Sequence, residues 1–114
     1  MEPDKVSTKV LGVFREPANS VYFSVVSAWE IAIKHQIGKT KLPAAPMRYV
    51  SDCIDNYSLL KIDIQLPHAI HAGALPLHHK DPFDRMLIAQ AELEGLTIVT
   101  PDAAFAAYNI PLVW

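Results

Sequence analysis

Asp81–Thr100 reads DPFDRMLIAQAELEGLTIVT, and this stretch decides the fold. Asp81-Pro82 is a helix start, with an acid able to cap and a proline at the first position, where its missing N–H costs nothing. The helix it opens, Asp81–Glu94, is the clearest in the chain and stops at Gly95. Leu96–Thr100 (LTIVT) follows directly, short and β-branched, and reads as a strand. On both sides the same alternation recurs. Asp4–Phe14 places Val6, Val10, Val13 and Phe14 at helical spacing, and Pro17-Ala18-Asn19-Ser20 ends it. Val21–Val26 (VYFSVV) reads as a buried strand, and Ser27 as the start of a helix that Gly38 stops. Lys39–Pro46 is a basic, proline-punctuated loop, Met47–Asn56 a helix, Leu59–Ile64 (LLKIDI) a strand and Pro67–Gly73 a short helix. Leu75–Lys80 is a loop, Pro101–Tyr108 a last helix and Pro111–Trp114 a final strand. Strands alternating with helices predict a three-layer α/β domain with a parallel sheet, a single unit over residues 1–114.

Composition narrows the class. Of 114 residues, 51% are hydrophobic and 19% charged, enough apolar material for one folded core without disulfides. That fraction excludes an intrinsically disordered chain. A lone cysteine, Cys53, excludes a disulfide framework and a thiolate zinc site, and is expected to be a small buried hydrophobe. No apolar run approaches the roughly 18 residues of a membrane span, and MEPDKVSTKV lacks the pattern of a secretory signal, so the expected location is cytoplasmic. The net charge of −2 is not that of a conventional nucleic-acid binder. If Glu30, Asp81, Asp84 and Asp102 share one site, however, the remaining ten positive and eight negative charges leave a mildly basic surround.

Three of these acids share a local grammar. Glu30 lies four residues beyond the strand Val21–Val26, Asp102 two beyond Thr100, and Asp84 in the first turn after Asp81-Pro82. Strand-to-helix turns of a parallel sheet gather at its carboxyl edge, where ligands of such sheets bind. Crowded carboxylates repel one another unless a cation neutralises them, and an oxygen-rich set suits Mg²⁺ or Mn²⁺. The same acids have plainer readings. Ser27-x-x-Glu30 fits a capping box, Asp81 and Asp84 suit a helix start, and Glu30 with Lys34 is an i,i+4 pair.

Other polar residues divide similarly between function and structure. Lys39, Lys41 and Lys80 are candidate phosphate contacts or solvated surface, and Arg85 is a phosphate fork or an ion-pair partner of Asp81. His68, His71, His78 and His79 raise zinc, and His68-x-x-His71 places two imidazoles on one helical face, but no supporting Cys or His-Glu-x-x-His pattern accompanies them, so zinc is disfavoured. Trp29 is expected to anchor the core rather than stack a base.

The segments Ser24–Lys34 (SVVSAWEIAIK), His78–Ala91 (HHKDPFDRMLIAQA) and Thr97–Asp102 (TIVTPD) resemble the PIN-domain ribonucleases, specifically the VapC-type toxins of bacterial toxin–antitoxin pairs. Gly38-Lys39 with Leu42-Pro43, His68-Ala69 and Gly73-Ala74-Leu75-Pro76 agree as well, so the likeness runs from Ser20 to Trp114. It implies a Mg²⁺- or Mn²⁺-dependent endoribonuclease with four clustered acids. Glu30, Asp84 and Asp102 match the second, third and fourth, and Asp81 either assists them or caps the helix. The resemblance further implies RNA as substrate, a cognate antitoxin lying across the active-site groove, and frequent dimers.

One departure stands out. The family opens on a central strand carrying its first acid, and no segment here corresponds to it; Asp4 lies in a polar, pre-helical start. The sheet is therefore expected to leave two open edges facing each other, between Val21–Val26 and Leu96–Thr100. Open edges invite pairing, which predicts either self-association or a shifted element in the gap. The resulting expectation is a metal-dependent ribonuclease of the VapC type; the alternative is a catalytically silent relative that keeps only partner binding or self-association.

Overall fold

The computed structural model describes residues 7–114. Helix α1 (Thr8–Arg15) begins after Ser7, whose hydroxyl accepts from the Val10 N–H. The expected helical residues Asp4–Val6 lie outside the described residues. Strand β1 (Tyr22–Ser24) runs straight into α2 (Val25–Gln36). Here the expectation is corrected: Ser24, not Ser27, caps the helix, its Oγ accepting from the Val26 N–H at 3.2 Å. Val25 and Val26 are thus the first helical turn, because a good cap outweighs the weak strand preference of two valines. There follow α3 (Pro46–Asn56), β2 (Leu60–Ile62), α4 (Leu66–Ala74) and α5 (Pro82–Glu94), then β3 (Ile98–Val99) and β4 (Leu112–Val113). The last expected helix is a 3₁₀ turn, Ala103–Ala107, capped by Asp102.

Helix α5 organises the domain. Its start is fixed by Asp81, whose Oδ1 accepts from the Asp84 N–H at 3.0 Å, and its end by Gly95 in the left-handed region at φ +67°. Ile88 and Ala89 on its inner face are wholly buried and pack with Ala72, Leu75, Phe105 and Tyr108 into the main core. Its Gln90 reaches the opposite side. The Ser24 Oγ donates to the Gln90 Oε1 at 2.6 Å, and the Gln90 Nε2 donates to the Asp63 carbonyl at 3.3 Å. One buried amide therefore ties the ends of β1 and β2 to α5. Gln90→Leu leaves both partners unsatisfied, and thermal unfolding should show a loss of about 1–3 kcal/mol.

The strands are parallel, as expected of an α/β domain, but form two separate pairs. Tyr22 stands opposite Leu60 and Ser24 opposite Ile62; Ile98 stands opposite Leu112 and Val99 opposite Val113. A cavity of about 700 Å³ lies between the pairs, touched by Val21–Ser24 from one side and by Leu96–Val99 from the other. Among the described residues no shifted element fills it, which corrects that part of the expectation. No described helix is long and apolar enough to cross a membrane. Cys53 is half-buried rather than buried.

Candidate active site

Three side chains converge at the N-terminal end of α5. Asp84 stands in the first turn, its backbone held by Asp81. Asp102 caps the 3₁₀ turn after β3: its Oδ1 accepts from the Ala104 N–H at 2.9 Å, and its own N–H donates to the Thr100 Oγ1 at 3.1 Å. His79 belongs to the loop before α5, where its N–H donates to the Tyr108 hydroxyl at 3.0 Å. The His79 Nε2 lies 2.7 Å from the Asp84 Oδ2. One ligand atom from each of His79, Asp84 and Asp102 falls within 4.8 Å of the others. His79 and Asp84 are partly buried and Asp102 is exposed, so the cluster is anchored on one side and open to solvent on the other.

Two carboxylates this close repel each other, and the positive end of the α5 dipole offsets only part of that. A divalent cation would offset the rest. The donor set, two carboxylate oxygens and one imidazole nitrogen, fits Mg²⁺ through its oxygens and Mn²⁺ through all three.

Of the acids singled out from sequence, the structure brings Asp84 and Asp102 together. Asp81 is occupied as the cap of α5. Glu30 stands outside the cluster, in the second turn of α2, with its carboxylate 3.4 Å from the Lys34 ammonium. Its neighbour Trp29 packs edge-on against Phe83, ring centroids 5.0 Å apart at 74°, which brings that turn of α2 alongside the first turn of α5. Trp29 is 58% exposed, so the expectation of a core anchor is corrected: the side chain lies on the surface. Sequence reasoning weighs His79 only among the histidines considered for zinc and does not join it to the acids, where the structure places it. The signal that could have found it is its place in HHKDPFD, in the loop that leads into the α5 cap.

Lys39, Lys41 and Lys80 are exposed, as phosphate contacts would have to be. Arg85 is not available for that role, nor does it pair with Asp81. It is buried, and its guanidinium donates to the carbonyls of Ala72, Leu75, Pro76 and His79 and to the Tyr108 hydroxyl. The histidines of α4 serve structure as well. His68 accepts from the Gln65 N–H through Nδ1 and meets Glu94 through Nε2 at 2.8 Å, while His71 meets Glu92 at 2.6 Å.

The sequence profile of the PIN domain matches residues 3–111. Ribonuclease VapC16 of Mycobacterium tuberculosis (strain ATCC 25618 / H37Rv) is 31% identical over 62 residues, 54% of this chain and 44% of that protein. The matched segment thus spans less than half the length of that curated relative. With the profile running through nearly every described element, and parallel strands alternating with helices beneath it, the chain belongs to the PIN domain family.

Proposed function

We propose that this chain is a divalent-metal-dependent endoribonuclease of the VapC type, acting as the toxin of a toxin–antitoxin pair. The observation that carries the reading is the convergence of His79, Asp84 and Asp102 within 4.8 Å at the start of α5. Asp84 and Asp102 would hold Mg²⁺ or Mn²⁺, with His79 orienting Asp84 or joining as a nitrogen donor. The cation, when bound, supplies charge stabilisation for a phosphodiester under attack and acidifies water. The protein supplies placement. Asp81 and the α5 dipole fix Asp84, Thr100 and Ala104 fix Asp102, and the Tyr108 hydroxyl fixes the His79 backbone.

The surroundings suit RNA. Exposed Lys80 lies beside the cluster, Lys39 and Lys41 follow α2, and all three can meet phosphates as point charges. The exposed Trp29 ring offers a stacking surface for an unpaired base. Glu30 would complete the acidic set once it exchanges its Lys34 partner for the cation; that pairing joins a half-exposed lysine to a half-buried carboxylate and is worth about 1 kcal/mol. An antitoxin segment crossing this groove, a cytoplasmic location and an oligomeric state belong to the same proposal.

A second reading, a silent domain that binds partners without cleaving RNA, draws on the separation of Glu30 from the cluster. One experiment divides the two. Single-stranded RNA is incubated with the purified chain in Mn²⁺, Mg²⁺ or EDTA, beside Glu30→Gln and Asp102→Asn variants. Cleavage that needs the cation and falls at least about 100-fold in both variants is expected. Intact RNA in the presence of folded protein and either cation would establish the silent reading.

A further inference from the structure

Helix α4 and the loop after it carry His68, His71, His78 and His79, and the last of these stands apart. His68 meets Glu94 and His71 meets Glu92, while His78 is exposed with its ring edge-on against Tyr108. Among the described residues, His79 alone joins two carboxylates in one cluster. Its Nε2 lies 2.7 Å from the Asp84 Oδ2, and Asp102 brings a third ligand atom to the same place.

The fold holds this residue at three points. Its N–H donates to the Tyr108 hydroxyl at 3.0 Å, and its carbonyl accepts from the buried Arg85 guanidinium at 3.2 Å. Its ring centroid stands 6.2 Å from that of Phe105, a core side chain, with the planes at 64°. A side chain braced in this way presents its ring at a fixed position, as a metal ligand must.

The other ring nitrogen decides what Nε2 can offer. Nδ1 has no partner among the described residues, and it is not sealed from solvent. The proton of a neutral ring can therefore sit on Nδ1, which turns the Nε2 lone pair toward the acids. A lone pair 2.7 Å from a carboxylate oxygen is repelled unless one cation accepts both atoms. On a six-coordinate ion with bonds of about 2.1 Å, adjacent ligand atoms stand about 3 Å apart, close to this spacing. The donor type then selects the ion. Mg²⁺ takes oxygen ligands and keeps its waters, whereas first-row transition ions take imidazole readily.

We propose that His79 is a nitrogen ligand of the site's cation and makes the site select Mn²⁺ over Mg²⁺. This assignment rests on the reading of His79, Asp84 and Asp102 as a metal site, and it gives His79 the donor's role rather than that of a support for Asp84.

Calorimetric titration of the full chain with Mn²⁺ and with Mg²⁺, in the parent and in His79→Gln, is the test. Glutamine keeps an N–H able to reach Asp84 but has no nitrogen lone pair to give a metal. The parent should bind Mn²⁺ at least about tenfold more tightly than Mg²⁺. In His79→Gln the Mn²⁺ affinity should drop to that of Mg²⁺, with the Mg²⁺ affinity changed by less than about twofold. Pulsed electron paramagnetic resonance of Mn²⁺ on the parent should show a directly bound nitrogen, a measurement that needs no variant to fold. Affinities that fall equally for both ions, or for neither, would make His79 a hydrogen-bonding support and overturn the proposal. So would Mn²⁺ bound to the parent without the nitrogen signature, which leaves the two acids as the metal site. A folded parent that binds neither ion would overturn the metal-site reading itself, and the proposal with it.

Discussion

Asp84→Asn should abolish saturable Mn²⁺ binding, weakening it by at least about 100-fold, while leaving the fold intact. Asparagine keeps the shape and one carbonyl oxygen of Asp84 but removes the charge that makes an oxygen ligand strong. The cluster then offers one carboxylate, Asp102, and one imidazole, His79, and a small cation that keeps most of its waters has too few protein ligands left. The capping bond survives because it uses the Asp84 N–H and the Asp81 carboxylate, not the Asp84 side chain. The stabilities should diverge in an informative way. Without metal, the variant should unfold close to the parent's temperature, since the relieved repulsion between Asp84 and Asp102 is set against a weakened His79 contact and a lost charge at the positive end of α5. With metal at 100 times the dissociation constant, the parent gains about 2.7 kcal/mol and the variant almost nothing. Calorimetric titration and thermal melts with and without Mn²⁺ measure both. Equal Mn²⁺ affinity in parent and variant would remove the cluster from consideration as a metal site, whatever RNA cleavage shows.

How far the sequence reveals this molecule depends on the range over which each feature is determined. Helix α5 is legible to within a residue because its signals are local: Asp81 caps three residues away, and Gly95 is the residue that tolerates φ +67°. Asp84 and Asp102 are legible as a pair because each begins a helical turn, and such turns gather at one edge of an α/β sheet. The helix start at Ser24 is hidden because the valines after it carry a strand-like pattern, and only the hydrogen bonds to Val26 and Gln90 show the cap. Trp29 illustrates another limit. Its size argues for burial, but its partner Phe83 is distant in sequence and leaves it 58% exposed. The division into two strand pairs is a matter of long-range pairing, on which local propensity is silent.

Arg85→Met should destabilise the fold more than Gln90→Leu or Asp84→Asn. The guanidinium is a buried cation with no carboxylate paired to it among the described residues, held by four carbonyl dipoles and a hydroxyl. Two of those carbonyls, Ala72 and Leu75, end α4, where helix carbonyls have no partner of their own. The other two, Pro76 and His79, lie in the loop that brings His79 beside Asp84 and Asp102. Methionine fills much of the volume and satisfies none of them. Leaving several buried carbonyls unpaired costs on the order of 4 kcal/mol, a large share of the roughly 5–15 kcal/mol that holds an ordinary domain folded. At roughly 4 °C per kcal/mol for a chain of this length, the melting temperature should fall by about 15 °C. Arg85→Lys should recover little, because one ammonium cannot reproduce a planar fork that reaches the end of α4 and the following loop together. If Arg85 instead gripped a phosphate of RNA, Arg85→Met would weaken RNA binding at an unchanged melting temperature. Differential scanning calorimetry beside an RNA-binding titration separates these outcomes, and the buried position of the guanidinium selects the first.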